Sequence, residues 1–457
     1  TRKRFSTNDK GGYTLKQRLH TIPAMFTIAM LGGLLVSLAS AAQQEGGKRY
    51  GLNLVLETAL SNHPSLRGEE ARVDASRAQL RQAKAGYSPR LDASLGYTQL
   101  DRDPQFAVPP FGTLIFGETD NKQADLTAQY PLWTGGKLEG VHRQARAGLE
   151  AAHAILDRQR QKVVLNASTS YFSVLKSRGV VRVMESQLSF LQAQRNDIVR
   201  MVEQGVGTRI DLLRAETAVS ASEEGLTRAR NGESVAVAAL ANAMGLAADH
   251  TLTVVESPSF QQLDRLPQDL SEAIAEALAH RPEVAQVAAT RKGALAGIQV
   301  AKSSQRPTVG LFAQYDAERP TFMPETGDWS AGIALKMNIF DGGGAKTHAI
   351  EARAQVKQIE AALEELRNGV TLQVTQAMLN VNSAAERIKT AQKAVATADE
   401  GVRLITLGYK NGVNTITDLL AAQSELTGAR TDQNSATFDW HTARSELQYA
   451  LGRDEVR

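Results

Sequence analysis

The chain has 457 residues, 42% of them apolar but only 5% aromatic, which allows two or three domains and favours close helix packing over a thick core. Cysteine is absent, which excludes disulfides, thiol catalysis and cysteine-ligated metal. The formal net charge of +3 is concentrated in residues 1–41, where Arg2, Lys3, Arg4, Lys10, Lys16 and Arg18 oppose Asp9. Without that +5 the remainder carries about −2, so the basic balance gives no argument for nucleic acid binding.

The basic stretch precedes an uncharged segment, 22–42, that ends in small residues at Ala39, Ser40 and Ala41. This three-part form predicts a secretory signal peptide over 1–41. A retained membrane anchor is the alternative, and the short apolar run broken at Gly32-Gly33 counts against it. Beyond residue 42 no run approaches eighteen apolar residues, so no further membrane-spanning helix is predicted.

The rest of the chain is written twice. After Gln43–Tyr50, LNLVLETALSNHPSL matches LSEAIAEALAHRPEV at an offset of 218, with Pro64 opposite Pro282 and Pro89 opposite Pro307. Further on, YPLWTGGK matches NIFDGGG, and EQGVGTRIDLL (203–213) matches KNGVNTITDLL (410–420) at six of eleven positions, both at an offset of 207. The eleven-residue difference falls between Pro89 and Pro131, so a loop is predicted there. Duplication of this kind implies two halves of one architecture. The predicted organisation is a first repeat over 42–246, a linker over 247–270 and a second repeat over 271–457.

Each repeat holds two stretches of period two, which are strands with one apolar and one polar face. They fall at about 90–100 and 124–132, and at about 308–315 and 329–339. The first pair shows Leu91, Ala93, Leu95 and Tyr97, then Leu126, Ala128, Tyr130 and Leu132. The second shows Val309, Leu311, Ala313 and Tyr315, then Trp329, Ala331, Ile333 and Leu335. A soluble sheet would alternate too. The roughly ten-residue length, the export signal, and the aromatic residues Tyr97, Tyr130, Trp133, Tyr315, Trp329 and Phe340 together favour strands across an outer membrane, with those six as an aromatic girdle. Four strands cannot close a barrel, and open edges are too costly in lipid, so the barrel must be shared between subunits. Two chains give eight strands and a filled interior, whereas three give twelve and a lumen.

Long proline-free runs follow at 137–204 and 344–411, each roughly 100 Å long as helix. From Val374 to Val402 the second keeps a heptad seam of Val or Ile and Ala, the pattern of a left-handed coiled coil with close backbones. The return helices, 208–246 and 415–452, are too short to match. The economical arrangement stacks each early helix end to end with a return helix. In the turns between, Thr208 with Asp211 and Thr415 with Asp418 each fit a capping box, Thr208 and Thr415 being the helix caps.

The duplicated halves, NHP and HRP near their starts, strand pairs ending in PLWTGG and NIFDGG, and the G-V-x-T-x-x-D-L-L turns together resemble the outer membrane factor family, TolC-like export ducts of Gram-negative bacteria. The resemblance covers the whole chain after the signal. It implies a mainly α fold with a membrane β-barrel: a homotrimer whose twelve-strand barrel sits in outer membrane lipid and continues as a long periplasmic α-helical barrel. It also implies two partners, a periplasmic adaptor (membrane fusion protein) and an inner-membrane pump of RND or ABC type. The duct would be passive, serving efflux or type I secretion.

By the same resemblance the closed helix tips form the periplasmic aperture. Asp418 matches the constricting acid after the second turn, Asp211 the acid of the first, and Tyr409 the tyrosine that ties the tips. Arg209 stands nearby. Ala421 replaces a second acidic ring of some members, and Asn414 replaces a basic latch. Gly205, Val206, Gly412 and Val413 are candidates for docking an adaptor's hairpin tip. The Asp residues have two readings, as helix caps and as a carboxylate constriction favouring cations, and both hold if the acid faces the lumen near the cap.

No enzyme site emerges: GVG at 205–207 lacks a dinucleotide loop's third glycine, GGGAK at 342–346 lacks phosphate-loop spacing, and His142 and His153 lack metal spacing. No cofactor and no metal are predicted. The apolar FAVPPFGTLIF within the loop 101–123 is either a collapsed loop or a lid or contact surface. The rival to an export duct is a periplasmic coiled-coil scaffold without a pore, which has no need of four alternating strands with aromatic ends.

Overall fold

The computed structural model describes residues 49–453 apart from 104, 116–118, 250–251, 257–266, 268 and 320–325. The predicted signal peptide lies outside the described residues, as does much of the linker 247–270. From Tyr50 onward the chain is one compact unit.

The element order is β1 (Arg49–Tyr50), α1 (Leu52–Asn62), α2 (Pro64–Ala85), β2 (Arg90–Gln99), β3 (Gln105–Val108), β4 (Gly112–Ile115), β5 (Asp120–Trp133), α3 (Lys137–Glu203), α4 (Arg209–Ala243) and β6 (Thr253–Val254). The second half supplies α5 (Leu270–His280), α6 (Pro282–Ser303), β7 (Thr308–Arg319), β8 (Thr326–Lys336), α7 (Gly344–Lys410) and α8 (Ile416–Leu451). Among the described residues no helix is long and apolar enough to cross a membrane.

The sheet runs β2-β5-β7-β8 and every pair is antiparallel, so the two hairpins join through β5 and β7 while β2 and β8 remain open edges. The register brings the apolar positions of all four strands to one face. Leu91 faces Ala128, Leu126 faces Tyr315, Tyr130 faces Leu311, Tyr315 faces Trp329, and Val309 faces Leu335. Within the chain that face stays exposed: Leu95, Trp329, Ile333 and Leu335 are all about two-thirds exposed or more.

A register shift between Pro131 and Trp133 sets Trp133 opposite Val309. Strict alternation from Tyr130 would aim Trp133 at the polar face; the bulge returns it to the apolar one. Tyr130, Trp133 and Phe340 stand at the helix-proximal end of the sheet, and Tyr97, Tyr315 and Trp329 at the far end. Six residues of β7 separate the levels of Trp133 and Tyr315, about 20 Å of strand.

Each outgoing helix, α3 and α7, has 67 residues. Alongside it run the early helix of its repeat and the return helix, α2 with α4 on α3 and α6 with α8 on α7. The composite joint is visible in both copies: Gly245, past the end of α4, lies against His63, and Gly452, past the end of α8, lies against His280 and Arg281. Both glycines have positive φ, as the C′ position of a helix end requires. Of the heptad predicted from Val374 to Val402, the α7 seam buries Val374, Ala377, Val381, Ala384 and Val402, with Val370 buried just before it, while Ile388, Ala391, Val395 and Ala398 are half-buried within the chain.

At the waist of the first repeat, Tyr50, Val55, Tyr171, Leu175, Leu240 and Met244 form the main core. The chain on either side is tied across it: Val255 N donates to the Tyr50 carbonyl at 3.1 Å, and Tyr171 Oη donates to the Val255 carbonyl at 2.6 Å. Arg178 Nη1 donates to the Val254 carbonyl at 2.6 Å. The second repeat builds its core from Ala273, Ala277, Val374, Val381, Leu447 and Leu451.

The two flanks of the unit differ. Helix α3 packs on both repeats, touching α6 and α8 as well as α2 and α4, whereas α7 packs on α5, α6 and α8 of its own repeat. Leu372, Leu379 and Leu407 share one heptad position on α7 and are exposed. The segment 101–123 is shorter as a loop than predicted, because β5 begins at Asp120. It is not a collapsed loop: β3 and β4 make an exposed hairpin.

Candidate functional site

The helix tips lie at the end of the molecule opposite the sheet. Each outgoing helix ends in the same way. At the first, Val206 N donates to the Met201 carbonyl and Gly205 N to that of Val202, both at 3.0 Å. At the second, Val413 N donates to Gly408 at 2.8 Å and Gly412 N to Tyr409 at 3.0 Å. These paired bonds need a left-handed residue after the helix, and Gly205 and Gly412 supply it with φ of 76° and 73°.

The return helices start on threonine, but the two caps differ. Thr415 Oγ1 accepts from Asp418 N at 3.2 Å while Asp418 Oδ2 accepts from Thr415 N at 2.8 Å, a complete capping box. In the first turn Thr208 Oγ1 accepts from Asp211 N at 3.2 Å and donates to Asp211 Oδ2 at 2.6 Å. Among the described residues, no backbone amide returns to the Asp211 carboxylate. The Thr415 amide and hydroxyl hold the exposed Asp418 carboxyl below the usual value, which favours its ionised form. Both Thr415 contacts to the carboxylate fall on Oδ2, and the residue as a whole is exposed.

The two turns pack together. Ile198, Ala215, Ile416 and Leu419 are buried in one cluster, with Phe190, Leu212 and Tyr409 against it. Arg214 Nη1 donates to Thr417 Oγ1 at 3.0 Å, a direct bond between the first and second tips. Tyr409 is half-buried here; burial first, and the Asp211 carboxylate second, push its phenol above the ordinary value. The structure therefore brings Asp211, Tyr409, Thr415 and Asp418 into one apical group. Asn414 sits over Gly408, where a Cβ would overlap its side-chain amide, so it is engaged with its own turn. Arg209 is exposed, as are Val206 and Val413 at the outermost points.

Sequence reading missed Arg214 and the apolar cluster beneath the tips. Ile198, Leu212 and Leu419 carry the ordinary helical spacing, but nothing local says that one hairpin's apolar face meets the other's. It also missed a lock between the repeats at the waist. Asp439 on α8 accepts from Lys176 of α3 at 2.8 Å and from Arg387 of α7 at 3.1 Å, so one carboxylate ties three helices. Close by, His441 stacks on Phe172 with ring centroids 5.2 Å apart, and burial followed by the Arg444 charge lowers its pKa to about 4. Among the described residues, no group of three or more His, Cys, Asp or Glu is placed to hold a metal ion.

The sequence model of a family described as "Outer membrane efflux protein" matches residues 55–246 and 273–453. Among the relatives, "Protein CyaE" of Bordetella pertussis is 24% identical over 381 residues, covering 82% of this chain and 78% of that protein. "Outer membrane protein TolC" of Escherichia coli is 23% identical over 448 residues, covering 93% and 85%. A solved structure of the outer-membrane channel OprN is similar in fold, with a TM-score of 0.76 at 19% identity, covering 88% of this chain and 90% of that one.

Proposed function

The chain belongs to the outer membrane efflux protein family, and from that premise we propose that it is the outer membrane duct of a tripartite export system, serving efflux or type I secretion. The family is one of membrane export proteins rather than catalysts. The observation that carries the mechanism is that the sheet and the helices are open on matching sides. Strand β8 is unpaired on the side where α7 has no further helix of its own chain, and β2 is unpaired on the side of α2 and α4.

An unpaired edge is intolerable in lipid, and among the described residues the apolar face of the sheet stays exposed. Both open sides are satisfied at once when β8 and α7 of one subunit meet β2, α2 and α4 of the next. That head-to-tail contact closes a ring. Three subunits give twelve strands, wide enough for a lumen lined by the polar face. The helices extend this lumen by about 100 Å through the periplasm.

In this reading, cargo enters at the helix tips and leaves at the sheet, and the duct itself supplies no energy. The energy comes from an inner-membrane pump of RND or ABC type, coupled through a periplasmic adaptor that docks at Gly205, Val206, Gly412 and Val413. Asp418 and Asp211 narrow the entrance with carboxylates, and Tyr409 holds the tips closed. The capping contacts of Asp418 support a double role, because they hold the carboxylate through Oδ2 on a residue that stays exposed.

The test is purification from outer membranes followed by mass measurement and planar-bilayer recording. A trimer with discrete single-channel conductance is expected. A monomer, or a trimer that never conducts, overturns the duct.

A further inference from the structure

Among the described elements, the first repeat carries one with no counterpart in the second, the hairpin of β3 and β4. Its pairing sets Phe106 opposite Leu114 and Val108 opposite Gly112, so Phe106, Val108 and Leu114 share a face, with Phe111 at the turn. Phe106 is 63% exposed, Phe111 86%, and Leu114 and Ile115 each 50%. Among the described elements the two strands pack substantially only on each other. An apolar ribbon of this kind marks an interaction surface.

Its place in the fold limits what can cover it. Leu100 N donates to the Thr119 carbonyl at 2.6 Å, so the β2–β5 ladder continues up toward the hairpin at the end of the sheet remote from the helices. The hairpin therefore connects β2 to β5, and β2 is the open edge at which the next subunit joins. A lipid surface is a poor partner. The flanking Asp101, Asp103, Glu118 and Asp120 outnumber Arg102 and Lys122, which leaves no basic excess to hold the segment to anionic headgroups.

We propose that the partner is the same hairpin of the neighbouring subunits, the three packing together over the outer mouth of the barrel with Phe106, Phe111 and Leu114 at their contact. The inference rests on the trimeric-barrel reading above. The dimensions agree. Twelve strands about 4.8 Å apart and tilted about 40° enclose a radius of roughly 12 Å, and four residues of strand reach about 13 Å. Three such arms meet near the axis, and mutual burial removes from water the side chains that no other described element of one chain covers.

The experiment is cysteine cross-linking with Phe111→Cys, in a chain that has no other cysteine. Because the hairpin packs substantially only on itself among the described elements, the substitution is expected to leave the rest of the fold intact. In lipid nanodiscs, a trimer by mass whose subunits are linked to covalent dimers by copper phenanthroline or a short bis-maleimide bears the proposal out. In parallel, Phe106→Ser, Phe111→Ser and Leu114→Ser combined should lower the temperature at which the trimer dissociates in detergent. A trimer that stays unlinked by both reagents overturns the proposal, and quenching of a fluorophore at residue 111 by acyl-chain spin labels then assigns the hairpin to lipid. If no trimer forms, the barrel reading fails and the inference falls with it.

Discussion

Gly452 lies against Arg281 at the joint where the last return helix meets the start of α6. A Cβ built on it would stand 3.0 Å from the Arg281 nitrogen, and one on Gly245 would stand 2.7 Å from the His63 Cα at the matching joint of the first repeat. Two separate segments thus make one continuous column beside each outgoing helix, with only glycine able to turn the chain and admit the next helix. The joint also explains a buried Arg281, which donates to Gln373 Oε1 at 2.7 Å and lies 5.6 Å over the Tyr449 ring.

Gly452→Ala therefore meets a positive φ of 76° and a backbone contact together. We expect a loss of about 1–3 kcal/mol, read as a lower Tm, and a similar loss for Gly245→Ala. Gly428→Ala, in mid-helix with open space at its Cβ, should instead stabilise by about 0.5–1 kcal/mol. Equal effects at all three positions would refute the joint.

Asp418 and Thr415 separate capping from conduction. Thr415→Ala removes the hydroxyl cap and should cost roughly 1 kcal/mol while leaving divalent-cation block of the channel current in place. Asp418→Ala should weaken that block. Because the Asp418 carboxyl is held below its usual value, the wild-type block should persist to lower pH than an ordinary aspartate carboxylate would allow. Unchanged block in Asp418→Ala sinks the lumenal role.

Arg453 grips Glu276 with two bonds, Nε to Oε1 at 2.6 Å and Nη2 to Oε2 at 2.9 Å, closing the C-terminal end onto α5. The bond and charge of Arg453 hold the Glu276 carboxyl below its ordinary value, against the opposing effect of burial. A depressed carboxylate contributes stability that is whole above the unfolded pKa of about 4.3 and is lost as pH falls through the lower folded value. Arg453→Ala should cost roughly 0.5–1 kcal/mol at pH 7 and flatten the dependence of unfolding on pH below about 4.3. A mutant that keeps the full acid dependence contradicts this account.

On the polar face of the sheet, Asp316 stands directly between Asp125 and Asp328 on the adjoining strands. Ser94 and Gln123 donate to Asp125 and Gln314 donates to Asp316, so the nearby donors are neutral. Like charges directly opposite are destabilising by roughly 0.2–1 kcal/mol per pair. Asp316→Asn should raise the temperature of trimer dissociation in detergent at low salt, with the gain shrinking as salt screens the row. No gain at low salt would mean that the carboxylates do not feel one another.

The sequence by itself determined the duplication, the 67-residue helices, the strand alternation and the turns, because each is written in local periodicity or in a constant offset between Gly, Pro and Thr-x-x-Asp positions. It also placed Asp211, Asp418 and Tyr409 at the tips, since a turn between two long helices has nowhere else to lie. The tertiary structure alone decided how these pieces meet. The bulge that turns Trp133 to the apolar face depends on the register with β7. The bond from Arg214 to Thr417, the grip of Asp439 on Lys176 and Arg387, and the row of Asp125, Asp316 and Asp328 join residues far apart in the chain. The β3–β4 hairpin looked like a loop because, among the described elements, its apolar residues pack substantially only on their own hairpin, so no partner segment marks them in the sequence.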